Sequence, residues 1–386
     1  MLSLLSRRPA RAALAGFALA TAASLTVATP AAAAPEQRQT PRYVLTDLGT
    51  LPGGTASFAL GVSSAGEAVG TSRTGTGSRP QFAVRWRDGG VENLGSLPGS
   101  TFSRAFEVNS RGQVVGEAFT ASPEVSRAVL WEADNTMRDL GTLGGRSAVA
   151  NAIDERGRAF GVSSRAEGPS VATVWDRTGP QALPPADPGA VGASRVNAAS
   201  KSGRAVGSGP ARVESGATVG QAVRWDPRGR NFVATALDRL EPDRFATAFG
   251  VSENGIAVGE ATRLDPTDSS PGRTSTRAVR WDGTRVSELP RVGSYRFTRA
   301  NEVSNRGDVV GFASGFAGFP SIDGAAVLWR GDRAIDLNTA VVGGTDGFVL
   351  RTAESINEAG QIVGFGSVGG QTRAFLLTPA GSADDV

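Results

Sequence analysis

Short apolar runs of about five residues alternate with polar turns along most of the chain, the spacing of strands joined by hairpins. One run keeps returning: Ala83-Val84-Arg85-Trp86, Ala128-Val129-Leu130-Trp131 and Ala222-Val223-Arg224-Trp225 are three copies of it. Trp86, Trp131, Trp175, Trp225, Trp281 and Trp329 follow one another at 45, 44, 50, 56 and 48 residues, and Leu377 holds the same frame 48 residues later. That period suits a four-stranded unit, not a pair of helices. Seven copies account for most of the sequence.

Each copy carries its own turn. Ser63-Ser64-Ala65-Gly66, Asn109-Ser110-Arg111-Gly112, Asp154-Glu155-Arg156-Gly157, Ser200-Lys201-Ser202-Gly203, Ser252-Glu253-Asn254-Gly255, Ser304-Asn305-Arg306-Gly307 and Asn357-Glu358-Ala359-Gly360 share one chemistry. A Ser, Asn or Asp side chain bonds the backbone two residues on, and the glycine takes the positive φ that closes a hairpin. Four residues after each turn glycine stands another, at Gly70, Gly116, Gly161, Gly207, Gly259, Gly311 and Gly364. A glycine inside a strand marks the close approach of something bulky, and the Trp of the next strand is the expected neighbour. Fourth strands follow, as in Val91-Glu92-Asn93-Leu94 and Met137-Arg138-Asp139-Leu140. A Gly/Pro-rich connector then leads to the next unit.

The two ends complement each other. Tyr43-Val44-Leu45-Thr46-Asp47-Leu48-Gly49 matches a fourth strand, and Arg373-Ala374-Phe375-Leu376-Leu377 a third. Pairing them would close a ring and remove an open sheet edge. The expected fold is therefore all-β: a seven-bladed β-propeller of four-stranded blades over residues 42–379, its ring closed by the N-terminal strand. The rival is an open β-solenoid.

The N-terminus reads as a secretory signal peptide, residues 1–34, with Arg7, Arg8 and Arg11 ahead of the apolar run Ala12–Ala28 and small residues near Ala33. The route, Sec or twin-arginine, stays open, because Pro9 and Ala10 depart from the twin-arginine motif. Residues 35–41 form a short linker and 380–386 a C-terminal tail. The signal holds three arginines and no acid, so without it the basic count falls from 40 to 37 and equals the 37 acids. No basic stripe remains to suggest nucleic acid. No second long apolar stretch suggests a membrane span. With no cysteine, the exported chain is held by its core, not by disulfides.

There is no histidine either. Serine triads, thiol catalysis and His- or Cys-ligated metals are thereby excluded, and neither metal nor cofactor is expected. A paired-carboxylate glycosidase survives, since it needs only two acids about 5 to 9 Å apart. Glu107, Glu302 and Glu354 on the first strands are the candidates. The loop Asp265-Pro266-Thr267-Asp268 offers at most two calcium ligands.

The units Leu48-Gly49-Thr50-Leu51-Pro52-Gly53-Gly54 and Asp139-Leu140-Gly141-Thr142-Leu143-Gly144-Gly145, the run Asn109 to Gly116, and Arg373-Ala374-Phe375-Leu376 together resemble the bacterial extracellular HAF repeat family over about residues 42–379. The namesake His-Ala-Phe triplet is Arg-Ala-Phe here. The resemblance implies an exported repeat domain and no particular reaction.

The tight turns should share one face, leaving the connectors and the loops between second and third strands on the other, the usual layout for binding. Five residues before each tetrad stand Phe58, Arg104, Val149, Arg195, Thr247, Arg299 and Thr352. Arg104, Arg195 and Arg299 are expected to hold an anionic group by forked hydrogen bonds. Phe312, Phe316 and Phe319, set among glycines, are expected to stack on sugars, anchor a protein or plug the ring. The leading expectation is a secreted, non-catalytic monomer that binds an extracellular glycan or protein through the loop face. A carboxylate-based glycan-active enzyme and a purely structural surface repeat are the alternatives.

Overall fold

The computed structural model describes residues 41–381 except 76–79, 122–124, 214–215, 241–244, 265–273 and 316–322. The signal peptide, most of the linker, the last five residues, Phe316, Phe319 and the loop Asp265–Asp268 lie outside the described residues. What is described is all-β, with one 3-10 turn at Leu337–Thr339 and no α-helix. No described helix is long and apolar enough to cross a membrane.

Seven first strands, Ala56–Val62, Ser103–Val108, Gly144–Ile153, Arg195–Ala199, Phe245–Val251, Phe297–Val303 and Val349–Ile356, each open an antiparallel meander. They number the repeats from first to seventh. Five sheets have four strands, and the fifth and sixth repeats merge into one of eight. The merger rests on a single parallel pair, Thr276↔Phe297. Gln81↔Phe102 makes the same contact between the first two repeats as an isolated bridge. The eight-stranded sheet is therefore two meanders touching where the third strand of one repeat meets the first strand of the next.

The tetrads form the expected hairpins. Asn109 Oδ1 accepts from the N–H of Arg111 at 3.1 Å and of Gln113 at 3.0 Å, and Gly112 takes φ 71°. Asp154 and Asn357 repeat the pattern. The seventh sheet takes its fourth strand from the N-terminus: Tyr43–Asp47 pairs antiparallel with Gln371–Pro379, from Tyr43↔Pro379 to Asp47↔Phe375.

The recurrence of the tryptophans has a packing cause different from the expected one. Each ring lies in a core cluster shared with the preceding repeat: Trp131 with Val69 and Ala83, Trp225 with Phe160 and Val174, Trp329 with Val258 and Ala278. The indole N–H of Trp175, Trp225, Trp281 and Trp329 donates to Gly141, Pro184, Asp238 and Pro290 carbonyls of the preceding repeat at 2.8 to 3.1 Å. Leu377 packs likewise against Val310, Ala326 and Leu328, and Trp86 against Val363 and Ala374 of the seventh repeat.

The strand glycines answer to something else. Every first strand shifts register at the same place, for example between Ala105 and Glu107. The bend pushes a backbone carbonyl at the glycine opposite: a Cβ on Gly116 would stand 1.9 Å from the Arg104 oxygen. All seven glycines meet that carbonyl at 1.9 to 2.0 Å. The filler is backbone, not tryptophan. Gly364 also has a ring close by, that of Phe375.

Candidate functional site

The bulge decides which side chains leave the hairpin ladder. Leu60, Phe106, Asn151, Asn197, Phe249, Asn301 and Glu354 are the residues skipped by the register. The asparagines reach sideways: Asn151, Asn197 and Asn301 donate to the carbonyls of Val196, Ala248 and Ala353 on the next first strand at 2.7 to 2.9 Å. They join neighbouring repeats and are taken up by structure.

The C-terminal ends of all seven first strands line one cavity of about 90 Å³, from Ser63 of the first repeat to Glu358 of the seventh. Glu107 and Glu302 lie in it with Glu155, Glu253 and Lys201. Their neighbours are small: a Cβ on Gly61 would stand 3.1 Å from the Glu107 Cα, and one on Gly250 2.6 Å from the Glu302 Cα. Each carboxylate accepts a backbone N–H, Glu107 from Val108 at 3.1 Å and Glu302 from Val303 at 2.8 Å. Surrounded by protein, though still touching the narrow cavity, Glu107 is pushed up to about 7 by burial. Burial, with the Glu107 charge adding to it, takes Glu302 to about 8. Glu354 is also raised by burial, against Arg299 and the Thr352 hydroxyl, which donates to it at 2.7 Å.

A raised carboxyl keeps its proton in the native chain after the unfolded chain has lost it, so stability falls as pH rises from about 5 toward 8. Glu302→Gln is therefore expected to melt several degrees higher than the parent at pH 8 and about equal to it at pH 5. Equal melting curves at both values would show that the buried carboxyl is not protonated.

The N-terminal ends of the first strands hold the predicted arginines, and each has a different fate. Hairpin register sets it, because the residue five before the tetrad lies opposite the residue after the strand glycine. Arg104 faces Glu117, Arg195 faces Ser208 and Arg299 faces Phe312. Arg104 forms an ion pair with Glu117, itself only 3% exposed, and stacks 5.5 Å from Phe102 and 5.4 Å from Phe106. Arg104 thus meets both rings and a carboxylate, with its side chain 42% exposed. Arg299 donates to Asn301 at 2.7 Å, stacks 4.8 Å from Phe249 and 4.9 Å from Phe312, and acts on the buried Glu260 and Glu354. Arg195 stays exposed and has no carboxylate across its hairpin. Partial desolvation of its guanidinium lowers its pKa, with the Glu117 charge working against that shift.

The structure thus groups Arg104 and Arg195 around Glu117 and leaves Arg299 with Glu260 and Glu354. Phe312 is a strand residue, 8% exposed and beneath Arg299, not part of a loop. Half-buried rings at Phe58, Phe102, Phe106, Phe119 and Phe249 were not anticipated. Phe58 meets Phe365 edge-on at 4.9 Å, and Phe102 meets Phe119 at 4.7 Å. In the fifth repeat the strands Ala257–Leu264 and Thr274–Asp282 extend the hairpin on both sides of the Asp265–Asp268 segment. No cluster of three His, Cys, Asp or Glu side chains set to hold a metal occurs among the described residues.

No protein-family model matches the chain, and no curated protein does. Among solved structures it is similar to the β-propeller domain of the Trilobed protease from Pyrococcus furiosus, at 10% identity and TM-score 0.48, over 89% of this chain and 98% of that one. It is also similar to a gluconolactonase from Xanthomonas campestris, at 14% identity and TM-score 0.38, over 89% of this chain and 96% of the other.

Proposed function

We propose that the chain is an exported, seven-bladed propeller of the HAF repeat kind, closed by its N-terminal strand, and that it binds an extracellular glycan or protein without transforming it. Support for the ring comes from the contacts between the seventh and first repeats. They are of the same kind as those between consecutive repeats. Ala374 N–H donates to Ser57 Oγ at 2.9 Å, as Ala83 N–H does to Ser103 Oγ. Asn357 reaches the Ser63 carbonyl at 2.9 Å, as Asn109 reaches that of Asp154 at 3.1 Å.

Binding rests on one observation: Arg195 is exposed and faces Ser208, not a carboxylate, across its hairpin, with the Glu117 charge acting on it. A guanidinium so placed suits one acidic group on a ligand. Catalysis by Glu107 and Glu302 is the weaker reading. Their cavity of about 90 Å³ falls below the roughly 300 Å³ at which ligand pockets begin.

The test is a glycan and protein panel screened with the chain from residue 35, followed by Arg195→Gln on any ligand found. Arg195→Gln should weaken binding about tenfold with an unchanged melt. Arg104→Gln, by contrast, leaves Glu117 buried without its cation, and is expected to lower stability by about 2 kcal/mol or more. Sugar release abolished by Glu107→Gln would replace the binding reading with an enzyme.

A further inference from the structure

A second concavity lies on the turn side of the third repeat, away from the first-strand starts. It measures about 1050 Å³. Arg156–Arg158, at the end of the third repeat's tetrad, and the turn Asp176–Thr178 line it, together with residues of the second repeat and Gly229–Asn231 of the fourth. Strand lengths create it. The fourth strand of the third repeat is four residues, Gly179–Ala182, whereas the next hairpin runs on to Arg228 before returning at Asn231. The long hairpin stands beside the short one as a wall.

The lining is strongly basic. Arg111, Arg138, Arg156, Arg158, Arg177 and Arg230 face two acids, Glu132 and Asp176. Three of the six are occupied: Arg158 by Asp154 at 2.7 Å and by the Phe160 and Phe232 rings, Arg111 by Gln113 at 2.7 Å, Arg138 by Glu132 at 3.8 Å. The Asp176 carboxylate accepts from Thr178 N–H, Thr178 Oγ1 and Gln181 Nε2. Among the described residues Arg156, Arg177 and Arg230 are exposed and have no carboxylate at salt-bridge distance. The Arg230 charge helps hold the Asp176 pKa down, but six arginines against two acids leave the cleft with an excess of positive charge that favours an anion from outside.

We propose that this cleft binds an acidic oligosaccharide, its sugar carboxylates held by Arg156, Arg177 and Arg230 and its hydroxyls by the interleaved Gln113, Thr178, Gln181 and Asn231. The size suits such a ligand, at the upper end of small-molecule sites. A sugar acid is favoured over a nucleic acid because the one aromatic side chain of the lining, Trp175, is only 2% exposed and offers no stacking face to a base.

The experiment is titration calorimetry with an oligogalacturonate hexamer, a neutral maltohexaose and a single-stranded hexanucleotide. The acidic sugar should bind, at least about tenfold more tightly than either control, and its affinity should fall as salt rises. The triple variant Arg156→Ser, Arg177→Ser, Arg230→Ser should keep the parental melt and lose at least about tenfold in affinity. Arg195→Gln should leave this binding untouched, which separates the cleft from the first-strand site. Equal binding of the neutral sugar, tighter binding of the nucleotide, or full affinity in the triple variant overturns the assignment.

Discussion

Gly116→Ala is expected to destabilise the chain by about 3 kcal/mol or more, and Trp131→Leu in the same molecule should relieve none of it. The added methyl would stand 1.9 Å from the Arg104 carbonyl oxygen and 3.1 Å from the Ala105 Cα. Overpacking usually costs about 1 to 3 kcal/mol because side chains give way, but here the obstacle is backbone held in a ladder. Arg104 pairs with Glu117 and Ala105 with Gly116, while the chain bulges before Glu107. Moving the carbonyl means undoing the bulge, which also aims Phe106 out of the ladder. Thermal melts of the two single variants and the double check this. A Gly116→Ala melt within a degree or two of the parent, or a coupling energy above about 1 kcal/mol with Trp131→Leu, would restore the ring as the glycine's partner.

That reassignment shows where the sequence was readable and where it was not. Turns and strands are local: in each repeat a Ser, Asn or Asp followed three residues later by Gly joins the first and second strands, and the described tetrads obey it. The N-terminal strand was equally visible, because Tyr43–Asp47 lacks its own hairpin and the last unit lacks a fourth strand. The glycine's cause was hidden because bulges leave no mark in composition: Phe106, Asn151 and Glu354 occupy the same skipped position. The pairing of Arg104 was legible in principle. Arg104 lies five residues before its tetrad and Glu117 five after the turn glycine, which is the spacing that places two residues opposite each other in these hairpins. The arginine cleft was out of reach, since it depends on one hairpin outrunning its neighbour.

Deleting residues 42–48 is expected to lower the melting temperature by roughly 10 °C, yet leave a folded chain. The strand contributes far more than length. Tyr43 is 1% exposed in a core with Leu350, Phe375 and Leu377. Its N–H donates to the Ala340 carbonyl at 2.9 Å and its carbonyl accepts from Val342 at 2.8 Å. Asp47 pairs with Arg373 at 3.3 Å. Losing one buried aromatic side chain alone costs about 3 to 5 kcal/mol. The remainder should nevertheless stay folded, because the Ala374 to Ser57 and Asn357 to Ser63 bonds and the packing of Trp86 on Val363 do not involve the deleted strand. What the deletion exposes is an unpaired edge along Gln371–Pro379, and such an edge recruits another strand. The truncated chain should therefore show concentration-dependent association by analytical ultracentrifugation where the parent shows none. A truncated chain that melts with the parent and sediments as a monomer would mean that the N-terminal strand only lies on the seventh sheet and does not hold it.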